Sequence, residues 1–280
     1  MHYKVPNKKN ISKLHLNNNG FEREVAVHEL TEKETSVKIR MSLVIPVLHE
    51  EKMLERSLKL YTKELKQKYG FELIVSDGGS KDGTVAIAKK YADKVIEHKG
   101  DYRQTIAEGR NNGAEIASAD ILVFINGDSL PADHKQFFET IKDFAENKKN
   151  IDALACLVTA FPEETLFKDK VFYTIHNAYV HFLNIIGLGM GRGECQVIRR
   201  SVFEKLGGYN CKIVAGEDFD LYRRIAKQGK IKFAKDLHVY ESPRRFRKYG
   251  YIKTISFWLL NSVYVMLFNR SASKEWETIR

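Results

Sequence analysis

The sequence predicts an α/β protein built on a doubly wound, mostly parallel sheet with helices on both faces. Three observations carry this. Short, nearly continuous apolar runs such as Ser42–Val47 and Asp120–Asn126 read as strands buried on both faces. Stretches of helical periodicity separate them, in the order β-α-β-α-β-α-β and at the lengths that parallel crossovers need. Acidic residues stand where strands end and helices start, the edge at which open α/β sheets bind ligands.

Residues 1–40 are polar and Lys/Asn-rich. Asn17-Asn18-Asn19-Gly20, between Leu14/Leu16 and Val25/Val27, suits a hairpin turn, and this arm is expected as an appendage to a domain spanning 41–247. Pro46 ends the ladder of the first buried strand. Glu50–Tyr69 carries Leu54, Leu58, Tyr61 and Leu65 at helical spacing, which predicts one helix. Strand Glu72–Val75 runs to Asp77, where Gly78-Gly79 and then Lys81-Asp82-Gly83 turn the chain before a helix at Thr84–Tyr91. Strand Lys94–Glu97, helix Arg103–Ser118 and strand Asp120–Asn126 follow.

Beyond Asp128 come helix Asp133–Asn147, strand Asp152–Ala160 and a long aromatic helix from about Thr165 to Ile186. Gly187, Gly189, Gly191 and Gly193 then make a loop that carries Arg192 and ends at Glu194. Strand Cys195–Arg199 leads to a short helix from Ser201, ended by Gly207-Gly208. Gly216–Leu221 opens another helix, Gly229 closes it, and Lys230–Ala234 and Leu237–Glu241 read as two extended runs. In the last segment, 248–280, Tyr251–Phe268 is apolar apart from interruptions such as Lys253 and Asn261, and Arg244, Arg245, Arg247 and Lys248 precede it. It is marginal for a span of ~20 apolar residues. An interfacial membrane helix with a basic flank fits it. So does a helix docked on the domain or on a dimer partner, and the pattern leaves both readings open.

At 280 residues, 43% hydrophobic and 29% charged, the chain excludes disordered and collagen-like classes. Cys156, Cys195 and Cys211 form no Cys-x-x-Cys unit and cannot all pair. A reducing cytoplasmic compartment is therefore expected, and no structural zinc. The N-terminus lacks the apolar run of a signal peptide. Net charge is +10, concentrated after Pro243, which suits an anionic membrane face or a phosphorylated substrate. The basic tail contains no recognised nucleic-acid module, and its arginines lead into an apolar helix, so no nucleic-acid partner is expected. No Gly-x-Gly-x-x-Gly follows the first strand, which disfavours a dinucleotide-dependent dehydrogenase.

The candidate chemistry lies in the acidic positions Glu50, Asp77, Asp128 and Glu217/Asp218. In a parallel sheet Glu50, Asp77 and Asp128 should converge on one edge. Carboxylates gathered there repel one another unless a cation or a donor-rich ligand meets them. A nucleotide sugar with a divalent metal supplies both.

Five motifs in order then carry a family resemblance. They are Ile45-Pro46-Val47-Leu48-His49-Glu50, the run from Asp77 to Thr84, Gly109-Arg110-Asn111-Asn112-Gly113-Ala114, Phe124-Ile125-Asn126-Gly127-Asp128, and the late pair Gly207-Gly208-Tyr209 and Gly216-Glu217-Asp218. From Met41 to about Arg247 the chain resembles a family 2 glycosyltransferase of the GT-A fold, a Rossmann-like, mixed but mostly parallel sheet flanked by helices. The resemblance implies an inverting transferase that moves a sugar from a nucleotide donor, UDP favoured, to a glycan, lipid-linked or small-molecule acceptor. By the same resemblance Pro46, Glu50, Asp77, Arg110, Asn126, Gly127 and Asp128 form the donor site. Asp77 would accept from the base, Glu50 from the ribose, and Asp128 would ligate Mn²⁺ or Mg²⁺. Asp218 would be the general base, with Arg192, Glu194, Glu217, Arg244 and Arg245 on the acceptor or diphosphate side. Two positions depart from the pattern. Asn126 stands where the family has the first Asp of Asp-x-Asp, and where the family has a late His as a further metal ligand this chain offers His238 and Glu241, of which position in the resemblance favours Glu241. A non-catalytic nucleotide-sugar-binding protein is the competing reading, and a homodimer stays open.

Overall fold

A computed structural model describes residues 11–18, 21–30 and 38–273. A ten-stranded mixed sheet runs through the molecule in the order β1-β2-β5-β4-β3-β6-β9-β8-β10-β7. Its centre is parallel. β3 (Met41–Val47) lies between β4 (Phe71–Asp77) and β6 (Ile121–Ile125), and β5 (Lys94–His98) continues beyond β4. β9 (Cys195–Arg199) enters antiparallel between β6 and β8 (Ala153–Ala160), and β10 (Ile231–Glu241) is parallel to β8. The two-residue β7 (Leu130–Pro131) pairs with the end of β10.

Alternation along the central strands builds two cores. Leu43, Ile45, Leu73 and Val123 face one side, where they meet Leu54 and Leu58 of α1 (Glu51–Leu58), Ala88 of α3 (Thr84–Tyr91) and Phe137 and Phe138 of α5 (His134–Asn147). Val44, Ile74, Leu122 and Phe124 face the other, against α4 (Ile106–Ile116), Phe203 of α7 (Arg200–Lys205) and Leu221 and Tyr222 of α8 (Glu217–Ala226). Gly113 of α4 is held by this packing, since an added Cβ would fall 2.2 Å from Val44 Cγ1.

Three local expectations change. The helix predicted over Glu50–Tyr69 is two helices, α1 and α2 (Lys63–Tyr69). Between them Tyr61 is buried in the core and Thr62, extended at ψ 163, caps α2 by accepting from the Leu65 amide. The two runs predicted at the end of the sheet are one strand, β10, whose pairing with β8 is interrupted between Ala234 and His238. The polar N-terminal arm forms β1 (Ile11–Asn18) and β2 (Phe21–Glu29), an antiparallel hairpin in the register that a turn at 19–20 requires. The turn residues themselves lie outside those described. β2 pairs antiparallel with β5, so the hairpin extends the main sheet.

The remaining helices are α6 (Phe167–Ile185), α9 (Arg244–Tyr249) and α10 (Tyr251–Phe268). The start of α10 is anchored to α6 through buried Asp169, whose carboxylate accepts from Arg247, from the Tyr251 hydroxyl and from the Leu166 amide.

Candidate active site

β3 and β4 end level, with Val47 opposite Asp77, and β6 ends on the same edge two residues short of them, with Val44 opposite Phe124. Above these ends opens a cavity of about 1060 Å³. Every position singled out from the sequence lines it except Asp77, which lies 1% exposed behind Ser76 and Gly78 of the cavity wall. Asp128 and Asp218, ninety positions apart, thus share one space.

The run from Asp77 to Thr84 is first a self-bracing loop. Asp77 Oδ2 accepts from the amides of Gly79 and Ser80, each at 2.9 Å. Gly79, at φ +96, takes a conformation that a side chain would resist. Asp82 accepts from both the amide and the hydroxyl of Thr84, and that hydroxyl in turn accepts from the Glu50 amide at 2.8 Å. His49, left-handed at φ 54, donates its amide to Ser80 Oγ and accepts from the Lys81 amide. Glu50 is therefore held over the cavity from two loops at once. What remains of the motif for a ligand is Asp77 Oδ1, buried and without a partner.

Arginines meet the gathered carboxylates. Arg110, fully buried on α4, donates to Glu217 Oε1 (2.8 Å), Asn126 Oδ1 (3.1 Å) and the Gly193 carbonyl (2.7 Å), and its guanidinium lies over the Tyr209 ring. Arg192, 3% exposed, makes a two-pronged contact with Glu194 and donates to Glu241 Oε1 at 2.7 Å and to His176 Nδ1 at 3.0 Å. Arg244 reaches Asp128 Oδ2 at 2.5 Å. The repulsion expected among these acids is thus largely answered by the protein itself. Desolvation and the neighbouring Glu194 push Glu241 well up; burial opposes ionisation of Glu194 too, but Arg192 and hydrogen bonds from Glu241 and the backbone together bring it down to about 2.

Asp218 accepts from the backbone and not from an arginine. At the start of α8 its Oδ1 accepts from the adjacent Phe219 amide. Burial and then the charge of Glu217 push its carboxyl up to about 7, against the opposing pull of Arg110. Gly193 lies between Arg110 and Asp218: an added Cβ there would stand 3.3 Å from the Arg110 guanidinium and 3.4 Å from Asp218 Oδ2. The glycine loop therefore leaves open the approach to this carboxylate. Its neighbour Gly191 is pressed against the Tyr222 ring.

Two residues that the sequence did not single out complete the cavity end beside Asp77. Ser76 and Gln104 line it, both nearly buried, and Ser76 Oγ and Gln104 Nε2 have no protein partner. The sequence reads Gln104 as part of a helix from Arg103, but Thr105 caps α4 and leaves Gln104 in the loop before it, where its unmatched amide group marks it.

Among the described residues no three His, Cys, Asp or Glu side chains gather into a metal site. Asp128 suits a cation that is held mainly by substrate phosphate oxygens and needs one or two protein carboxylates. Arg244 would have to yield Asp128 to such a cation, and Glu241 fits one poorly, since burial and Glu194 raise its carboxyl and Arg192 engages it. The amide oxygen of Asn126 is already given to Arg110.

Comparison with known proteins agrees with this architecture. The sequence profile of glycosyl transferase family 2 matches residues 42–207, more than half of the chain. Glycosyltransferase AglE of Haloferax volcanii is 34% identical over 108 residues, covering 38% of this chain and 35% of that protein. Glucosyl-3-phosphoglycerate synthase of Petrotoga mobilis is 32% identical over 128 residues, 43% of this chain and 38% of its own length. These alignments span well under half of the curated relatives. Among solved structures, the mannosyltransferase PcManGT of Pyrobaculum calidifontis, in complex with GDP-Man and Mn²⁺, superposes with a TM-score of 0.58 at 19% identity, covering 74% of this chain and 58% of that one. Mannosyl-3-phosphoglycerate synthase of Rubrobacter xylanophilus gives 0.56 at 14% identity, with 82% and 75% covered. The fold is thus the GT-A fold, and the chain belongs to glycosyl transferase family 2.

Proposed function

We propose that the protein transfers a sugar from a nucleotide diphosphate, with inversion, to an acceptor hydroxyl. What carries the reading is the meeting of strand-end residues Pro46, Glu50, Gly127 and Asp128 with the raised carboxyl of Asp218 around one cavity. The nucleoside would lie at the Ser76–Gln104 end. A uracil edge offers an N–H donor flanked by carbonyl acceptors, which matches the unpartnered Asp77 Oδ1 and Gln104 Nε2. UDP is favoured on that ground. Glu50 would accept from the ribose hydroxyls.

Asp218 would act as general base. The acceptor oxygen attacks the anomeric carbon, its proton passes to Asp218, and the bond to the diphosphate breaks with the electron pair leaving on the nucleotide. A single displacement inverts the anomeric centre. A carboxyl poised near 7 suits proton abstraction at neutral pH. A divalent cation held by Asp128 would supply neutralisation of the leaving diphosphate. Arg110 holds Asn126, Gly193 and Glu217 in place and acts as a positioning residue. Arg244 and Arg245 stand on the diphosphate side, where guanidinium forks match phosphate oxygens.

The test is a panel of nucleotide sugars scored by thermal shift with and without Mn²⁺, followed by transfer assays on wild type and Asp218→Asn. The variant should lose ~10²–10⁴-fold in transfer while UDP affinity stays nearly unchanged. A comparable loss of UDP binding would remove Asp218 from the base role. UDP binding by wild type without turnover of any donor would favour the non-catalytic binding reading.

A further inference from the structure

Helix α10 is built inside out. Its buried positions are Thr254, Asn261 and Val265, whereas Ile252, Ile255, Leu259, Leu260, Val263 and Met266 are 41% to 84% exposed. Thr254 and Asn261 donate to the carbonyls of the preceding turn, Gly250 and Phe257, and Asn261 also donates to Ser273 Oγ. Only 17% of the helix is buried. α6 adds a second exposed stripe one helical turn apart at each step, Phe167, Val171, Ile175 and Tyr179. The two helices meet where Trp258 stacks on His176, with ring centroids 5.5 Å apart. Beside that seam Ile175 and Tyr179 of α6 and Ile255, Leu259 and Val263 of α10 line the same cavity as Asp128 and Asp218. Exposed apolar patches beyond ~300–600 Å² on soluble monomers mark interaction surfaces. This one opens directly into the candidate active site.

We propose that the α6–α10 face seats on an anionic lipid bilayer and that the acceptor is a lipid bearing a free hydroxyl, its chain lying between α6 and α10 and its head at Asp218. This rests on the transferase reading. Charge selects a bilayer as the occupant. Arg244 and Arg247 are engaged by Asp128 and Asp169, but Lys248 of α9, Lys253 of α10 and Lys168 and Lys170 of α6 are exposed on the segments that carry this face. Basic residues bordering an apolar helix face are what an anionic lipid surface attracts. Continuity with the cavity argues the same way, because a second copy on this face would cover the apolar mouth. The base narrows the head group: a lipid phosphate is already ionised at neutral pH and has little proton to give up, whereas a hydroxyl needs Asp218.

The full chain and Ile252→Glu/Leu260→Glu, both exposed on α10 and outside the cavity lining, are floated with vesicles of phosphatidylcholine alone or with about 30% phosphatidylglycerol. UDP-induced thermal shift is measured on both proteins. Wild type should float with anionic vesicles at least about tenfold more than the double variant, and the UDP shift should be the same in both. Wild type left in the soluble fraction overturns the docking. So does a dimer in analytical ultracentrifugation that the double variant abolishes, which would assign the face to a second copy. With labelled donor and vesicles containing a glucosyl-diacylglycerol alongside free methyl glucoside, label should enter the chloroform phase. Label only in the water-soluble glycoside overturns the lipid acceptor. Absence of any UDP shift would overturn the donor-site reading instead, with the flotation result unaffected.

Discussion

The pH dependence of transfer tests the chemistry most directly. Asp218 is raised from an ordinary carboxylate value to about 7, first by burial and then by Glu217, with Arg110 opposing. A base with that value is about one-tenth ionised at pH 6 and about nine-tenths ionised at pH 8, so kcat/KM should rise about tenfold over that interval and then level. A carboxylate at its usual value would give a flat profile there. Glu217→Gln removes a neighbouring negative charge and frees Arg110, both of which favour the Asp218 carboxylate. The acid limb should therefore move down by on the order of one unit. Stability supplies an independent reading. A raised carboxyl binds its proton more tightly in the folded state, so its contribution is present in full below about pH 4 and is lost as pH rises through 7, at ~1.4 kcal/mol per unit. Asp218→Asn lacks that loss, and its Tm should exceed wild type at pH 8 by more than at pH 5. The assay is label transfer at subsaturating donor, with Tm by calorimetry. A flat profile between pH 6 and 8, or an acid limb that Glu217→Gln leaves in place, would refute the assignment.

Further outcomes follow from single contacts. Gln104→Ala removes an unmatched amide donor at the proposed nucleoside end and should weaken UDP by ~0.5–1.5 kcal/mol in titration calorimetry, with kcat little changed. Gly191→Ala would set a Cβ 2.5 Å from the Tyr222 ring, which is itself pinned by its hydroxyl bond to the Leu154 carbonyl. A loss of ~1–3 kcal/mol of stability is expected, together with reduced transfer as Arg192 and Gly193 shift. Asp169→Ala leaves Arg247 and Tyr251 without their shared acceptor. Limited proteolysis should then cut before or within α10 much faster than in wild type, and an unchanged rate would remove Asp169 from that anchoring role.

Much of the frame was legible because its causes are local. Buried strands announce themselves as continuous apolar runs, and β9 and α10 begin and end where the pattern says. The bracing of Asp77–Thr84 was readable as turn chemistry, since each bond spans only two or three residues. The break between α1 and α2 was not, because Leu58, Tyr61 and Leu65 keep helical spacing across it. There the burial of Tyr61 and the Thr62 cap decide the path.

By itself the sequence determined the order of elements, the strand-end acids and the family, because apolar period, turn residues and motif order are properties of short stretches. Tertiary structure decided which charges meet. Arg110 finds Glu217 across 107 positions and Arg244 finds Asp128 across 116, pairings that no local pattern encodes. It also decided that Asp218 is buried beside Glu217, that Ser76 Oγ and Gln104 Nε2 stand unpartnered beside Asp77, and that α10 turns its apolar side outward. A charge's partner and a helix's exposed face depend on what the sheet order brings alongside them, and that is fixed only when the chain closes on itself.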